Sequence, residues 1–185
     1  MASLPNPQTV TYEEWLRMPE VTDAIEEVVD GEIRTMPPNK WKHTVIVANL
    51  RDALVAQLDR REVQVVDSSF GLVIRKAPLT SRAPDVAVFI KSRLVEQDGY
   101  IHSAPQLVVE VLSPGNTRRE RERKLADYAS LGVPEMWVVS PEARTVEALY
   151  LESGFLRSAQ ALTQGVLEPK QFPGVQIQIA EIWPD

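Results

Sequence analysis

Ala83-Pro84-Asp85 opens the apolar run Val86 to Ile90, and Leu107-Val108-Val109-Glu110-Val111-Leu112 sets one carboxylate inside a second apolar run. An aliphatic run without polar alternation predicts a strand covered on both faces. A carboxylate within such a strand is expensive to bury unless something compensates its charge. A divalent cation shared with the acid at the mouth of the neighbouring strand does so, because hard cations take oxygen ligands. Asp85 and Glu110 are therefore candidate ligands of one metal ion.

Composition narrows the chemistry. The chain has 185 residues, no cysteine and two histidines, His43 and His102. Disulfides, thiolate zinc sites and a cysteine nucleophile are excluded, and a metal must rest on oxygen. With 44% hydrophobic residues, the length suits one domain spanning residues 1–185. No apolar run reaches the roughly 18 residues of a membrane span. The segment Met1-Ala2-Ser3-Leu4-Pro5-Asn6-Pro7 lacks the basic and apolar regions of a signal peptide, so a cytoplasmic protein is expected. A net charge of −6 argues against a broad nonspecific grip on nucleic acid. It leaves room for a local basic patch, for which Arg118, Arg119, Arg121, Arg123 and Lys124 are the candidates. The interleaved Glu120 and Glu122 allow the plainer reading of a solvated, salt-bridged face.

Outward from the two runs, Thr11-Tyr12-Glu13-Glu14 matches a capping box and predicts a short helix through Leu16. Asp30-Gly31 between Ala24–Val29 and Glu32–Met36 predicts a hairpin. Val47, Leu50, Leu54 and Leu58 share one face of a helix over about 39–58. Strands are expected at Val63–Val66, Phe70–Arg75, Asp85–Ile90, Gln106–Leu112, Glu135–Ser140, Val146–Leu151 and Val175–Ile179. After the loop Ser113-Pro114-Gly115-Asn116, a helix over Thr117–Leu131 ends at Gly132. These elements predict an α/β domain with a mixed β-sheet core flanked by helices, preceded by an N-terminal helix and β-hairpin.

The order Glu27-Val28-Val29-Asp30-Gly31-Glu32, His43, Ala83-Pro84-Asp85-Val86-Ala87-Val88, Leu107 to Pro114, Lys124 with Tyr128, and Gly132 to Trp137 resembles the Uma-two family of restriction-endonuclease-like proteins. The resemblance spans about Thr11 to Trp183 and implies the fold and site of the PD-(D/E)xK nuclease superfamily. It implies metal ligands at Asp85 and Glu110, with Glu27 as a further carboxylate on the metal. The superfamily lysine is expected at position 112, two beyond the glutamate on the same strand face, where Leu112 stands. The resemblance places it instead on the following helix as Lys124, with Glu120 one turn earlier. The implied catalytic set is thus Asp85, Glu110, Lys124, Glu27 and Glu120, with Mg2+ or Mn2+ as cofactor.

Plainer readings exist for most of these residues. Thr117-Arg118-Arg119-Glu120 is itself a capping box, and Glu120 with Lys124 is a favourable surface pair at spacing four. His43 reads as a helix-start residue more readily than as a phosphate contact. Tyr128 and Trp137 read as core. The favoured function is a metal-dependent nuclease, expected to act on DNA as a homodimer, since cleavage of two strands suits two-fold symmetry. The alternatives are an inactive nuclease-fold protein that binds DNA or regulates a partner, and a glycoside hydrolase using a carboxylate pair.

Overall fold

The computed structural model describes residues 9–19, 24–67, 70–115 and 117–184. The N-terminal segment read for a leader and Asn116 of the loop lie outside the described residues. Helix α1 (Tyr12–Trp15), strands β1 (Ile25–Val29) and β2 (Glu32–Met36) and helix α2 (Trp41–Gln57) come first. Strands β3 (Val63–Asp67), β4 (Leu72–Lys76), β5 (Leu79–Arg82) and β6 (Val86–Ile90) follow. The short β7 (Glu96–Gln97) and β8 (Tyr100–Ile101) lead to β9 (Leu107–Val111) and helix α3 (Arg118–Leu131). Strands β10 (Glu135–Ser140), β11 (Thr145–Glu152) and β12 (Phe155–Leu162) precede the small pair β13 (Val166–Leu167) and β14 (Ile177–Gln178).

Local chemistry accounts for the boundaries. Both bonds of the Thr11–Glu14 capping box form at α1. Asp30 and Gly31 take φ of 53° and 84°, the double positive φ that a tight hairpin turn requires. Gly132 stops α3 at φ 89°, where a side chain would be strained.

The fold is mixed α/β, with two six-stranded sheets ordered β12-β11-β10-β9-β6-β3 and β2-β1-β5-β4-β8-β7, beside the two-stranded β13-β14. On one face of the first sheet, Ile46, Leu50 and Leu54 of α2 pack against Val86, Val88, Leu107 and Val109. On the other, Tyr128 and Ala129 of α3 and Leu72 of β4 pack against Ala87, Phe89 and Val108. Strand β6 is apolar throughout and β9 is apolar but for Glu110, because both faces are covered. They pair antiparallel with Val86 opposite Val109. Extending that register by one residue sets Asp85 opposite Glu110.

Some expectations are corrected. Strand β5, Leu-Thr-Ser-Arg, is buried at every position, yet three polar residues out of four hide it from a hydrophobicity reading. Strand β12 pairs only with β11, at the sheet edge, and its mostly exposed face carries no alternating signal. The strand expected at Val175–Ile179 shortens to Ile177–Gln178, and Ile179–Ile182 turns into a 3-10 helix. Val175, Ile177 and Ile179 still enter the α2 core, so the alternation reflected burial more than pairing.

Candidate active site

The site grows from the facing positions 85 and 110. Asp85 lies in the turn entering β6, after Pro84, and its Oδ2 accepts the Val111 N–H at 2.7 Å. His43, in the first turn of α2, brings Nε2 to 3.3 Å from the same oxygen and to 3.1 Å from the Val111 carbonyl. His43 does sit at the helix start, and it is buried there against Asp85. Burial alone would lower its pKa, but the Asp85 carboxylate and the Val111 carbonyl hold it above the ordinary value.

Glu110 is gripped on both oxygens. Lys124 donates to Oε2 at 2.7 Å and the Tyr128 hydroxyl to Oε1 at 2.5 Å. Burial pushes its pKa up to about 7; Lys124 opposes that rise, while the negative charges of Asp85 and Glu27 add to it. Lys124 also stands 3.3 Å from Glu27 Oε1. Although burial disfavours its charge, Glu110 and Glu27 keep Lys124 protonated well above the ordinary lysine range. Tyr128 is core, as expected, and is also a site residue.

Behind Lys124 lies a cation that sequence reasoning missed. Arg82, at the end of β5, is fully buried. Its Nη1 donates to Glu27 Oε2 at 2.7 Å and to Glu120 Oε1 at 2.9 Å. Its Nε and Nη2 both donate to Asp127 Oδ2, at 2.9 and 2.6 Å. Glu27 takes the Ala83 N–H as well, at 3.3 Å. Burial would raise the Glu27 pKa, but Lys124 and Arg82 outweigh it and hold the carboxyl below its usual range. Arg75 extends the network, donating to Asp127 Oδ1 at 3.1 Å and to Asp30.

Glu120 departs from both plain readings. Thr117 Oγ1 accepts the Glu120 N–H at 3.1 Å, but the Glu120 carboxylate turns to Arg82 and, at 3.1 Å, to Arg34. The capping box is half made, and the surface pair of Glu120 with Lys124 gives way to partners on other elements. The missing cation left a trace in the sequence. Glu120, Lys124, Asp127 and Tyr128 follow helical spacing on one face of α3, and Glu27 needed a positive partner once Lys124 was given to Glu110.

The basic cluster divides. Arg118 pairs with Glu122 at 2.8 Å in the open, Arg121 pairs with Glu147, and Arg119 and Arg123 line a cleft of about 410 Å³ with Arg34, Asp30, Glu32 and Glu120. Leu112 joins the partly buried residues around the α3 core.

Among the described residues, no group of three histidine, cysteine or acidic side chains is arranged to hold a metal by itself. The donor set nevertheless fits a hard divalent cation. It is made of oxygen, and the negative charges of Asp85 and Glu27 add to the burial that raises Glu110. Mg2+ needs only one or two protein carboxylates when water and phosphate oxygens complete its shell. Asp85 and Glu110 could supply those two.

No described helix is long and apolar enough to cross a membrane. Comparison with known proteins follows the same line. The fold is similar to that in the crystal structure of "a putative nuclease belonging to DUF820 from Anabaena variabilis ATCC 29413", with a TM-score of 0.76 at 20% identity, covering 94% of this chain and 97% of that one. No curated protein matches the chain. The model of the Uma2 family, described as "Putative restriction endonuclease", matches residues 12–180, and the chain belongs to that family.

Proposed function

We propose that this protein is a divalent-metal-dependent nuclease that hydrolyses phosphodiester bonds in DNA. The observation that carries the reading is the meeting of Asp85 and Glu110 at facing strand positions with Lys124 on Glu110 at 2.7 Å. Asp85 and Glu110 would hold Mg2+ or Mn2+, and Glu27, its oxygens engaged by Arg82, Ala83 and Lys124, would stand beside that ion. When bound, such an ion would supply charge neutralisation at the phosphoryl oxygens and a more acidic water. The Lys124 ammonium, a compact point charge, orients the attacking water or the scissile phosphate. His43 and the Val111 N–H orient Asp85, while Tyr128 orients Glu110. Glu120 and Asp127 act at one remove by fixing Arg82, which holds Glu27. The same reading takes residues 1–185 as one domain acting in the cytoplasm as a homodimer, which suits cutting both strands of a duplex.

The test is a titration of Mg2+ and Mn2+ on purified protein with plasmid, linear and single-stranded substrates, beside Asp85→Ala and a chelator control. Metal-dependent cleavage lost in Asp85→Ala is the expected result. Binding without turnover at any metal concentration overturns it in favour of a nuclease-fold DNA-binding or regulatory protein.

A further inference from the structure

Trp41 is 78% exposed, the most exposed of the large hydrophobic side chains among the described residues. Its position is not that of a stray surface residue. It is the first residue of α2, and both following residues tie that turn to the sheet. Lys42 donates to the Pro141 carbonyl at 3.1 Å, just past the end of β10. His43 reaches the Val111 carbonyl at the end of β9, and Asp85 beside it. Strands β9 and β10 run parallel, so Trp41 stands at their shared C-terminal edge, the edge that carries Glu110. The helix turn that carries the indole is thus anchored to the sheet at that edge, with the ring itself open to solvent.

The charge around it is unusual for a helix start. The N-cap is Lys40, its side chain makes no cap hydrogen bond, and the first turn holds no acid. A 17-residue helix therefore presents N–H groups without a side-chain acceptor beside two lysines, an arrangement that favours an anion. His43, 6% exposed, also keeps Nδ1 buried and without a hydrogen-bond partner.

We propose that Trp41 is a stacking platform for an unpaired base of a single-stranded nucleic acid, with Lys40 and the first turn of α2 taking the adjoining phosphate beside the Asp85–Glu110 site. An aromatic face cannot stack on a base already stacked within a duplex, so the substrate class is a single strand, a flap or a frayed end. Stacking accepts any base, so the preference is for strandedness and not for sequence. The assignment to a cleaving site rests on the nuclease reading; the stacking itself does not.

The two are separated by measuring binding in EDTA, where no metal-dependent cleavage occurs. Fluorescence anisotropy is read with labelled oligothymidylate, oligouridylate and a blunt duplex, each of about twelve nucleotides per strand. The expected result is tighter binding of the single strands than of the duplex, about tenfold or greater weakening in Trp41→Ala, and near-full retention in Trp41→Phe. Lys40→Ala should lower the slope of log affinity against log salt by about 0.7, one phosphate on a single strand. The thymidine and uridine arms distinguish DNA from RNA as the source of the strand. Equal binding by wild type and Trp41→Ala, no preference for the single strands, or no binding of any oligonucleotide overturns the proposal. Binding that depends on Trp41, with no cleavage when Mg2+ or Mn2+ is restored, instead removes the nuclease reading and leaves the platform standing.

Discussion

Lys124 on α3 and Glu110 on β9 form an ion pair at 2.7 Å, with the lysine side chain only 13% exposed. The helix thus supplies the cation that the strand position two beyond Glu110 does not, since Leu112 is apolar. Replacing Lys124 with methionine keeps most of the volume and removes the charge. We expect cleavage to fall at least about 100-fold, the scale for losing one preorganised charge stabiliser, with an unchanged far-UV circular dichroism spectrum. A fully active Lys124→Met variant excludes the assignment of that role to the helix.

Arg82 predicts a stability effect separable from catalysis. It neutralises Glu27 and Asp127, both buried, and removing one partner of a buried pair leaves uncompensated charge. Arg82→Met is expected to cost about 3–5 kcal/mol in urea denaturation. Adding Glu27→Gln and Asp127→Asn to Arg82→Met should restore part of that loss, because the orphaned charges are then gone. A wild-type midpoint for the single variant would falsify the picture of Arg82 as the central counter-ion.

Metal should stabilise the native chain. Burial is the main cause of the raised Glu110 pKa, and the negative charges of Asp85 and Glu27 add to it, so a cation among these carboxylates relieves repulsion. A cation bound only by the folded state adds about 2.7 kcal/mol at a hundred times its dissociation constant. Thermal melting is expected to rise with Mn2+ or Mg2+, and Asp85→Asn to blunt the rise. An unchanged melting curve at millimolar Mn2+ counts against Asp85 and Glu110 as ligands.

Alkaline pH gives a further check. Burial and the hydrogen bond to Asp98 raise Tyr12 to about 12; burial, Glu110 and Glu27 raise Tyr128; burial and Glu135 raise Tyr150. A phenol whose folded pKa exceeds its unfolded value lends stability that is complete below about pH 10 and is lost as pH climbs toward the folded value. In a spectrophotometric titration of the native protein, Tyr12 and Tyr128 should ionise only well above pH 10, so fewer than four tyrosines ionise near pH 10. Four independent ionisations near pH 10 would contradict the buried environments of Tyr12 and Tyr128.

Much of this molecule is legible in one dimension. The Thr11–Glu14 box, the Asp30-Gly31 turn, the apolar face of α2 and the double-sided strands β6 and β9 rest on local rules of capping, φ preference and periodicity, and the structure bears them out. Glu110 stands out as a carboxylate in an apolar run, and the family resemblance nominates Lys124 on the helix that follows. Tertiary structure alone decided the rest. Arg82 lies in a polar tetrapeptide without periodicity, and its partners Glu27, Glu120 and Asp127 sit on a hairpin strand and a distant helix that only folding gathers around it. Glu120 and Lys124, which local spacing would pair with each other, part company for the same reason. In a buried environment unpaired charge costs more than a surface pair at spacing four returns, so the buried cations and carboxylates choose their partners across the fold.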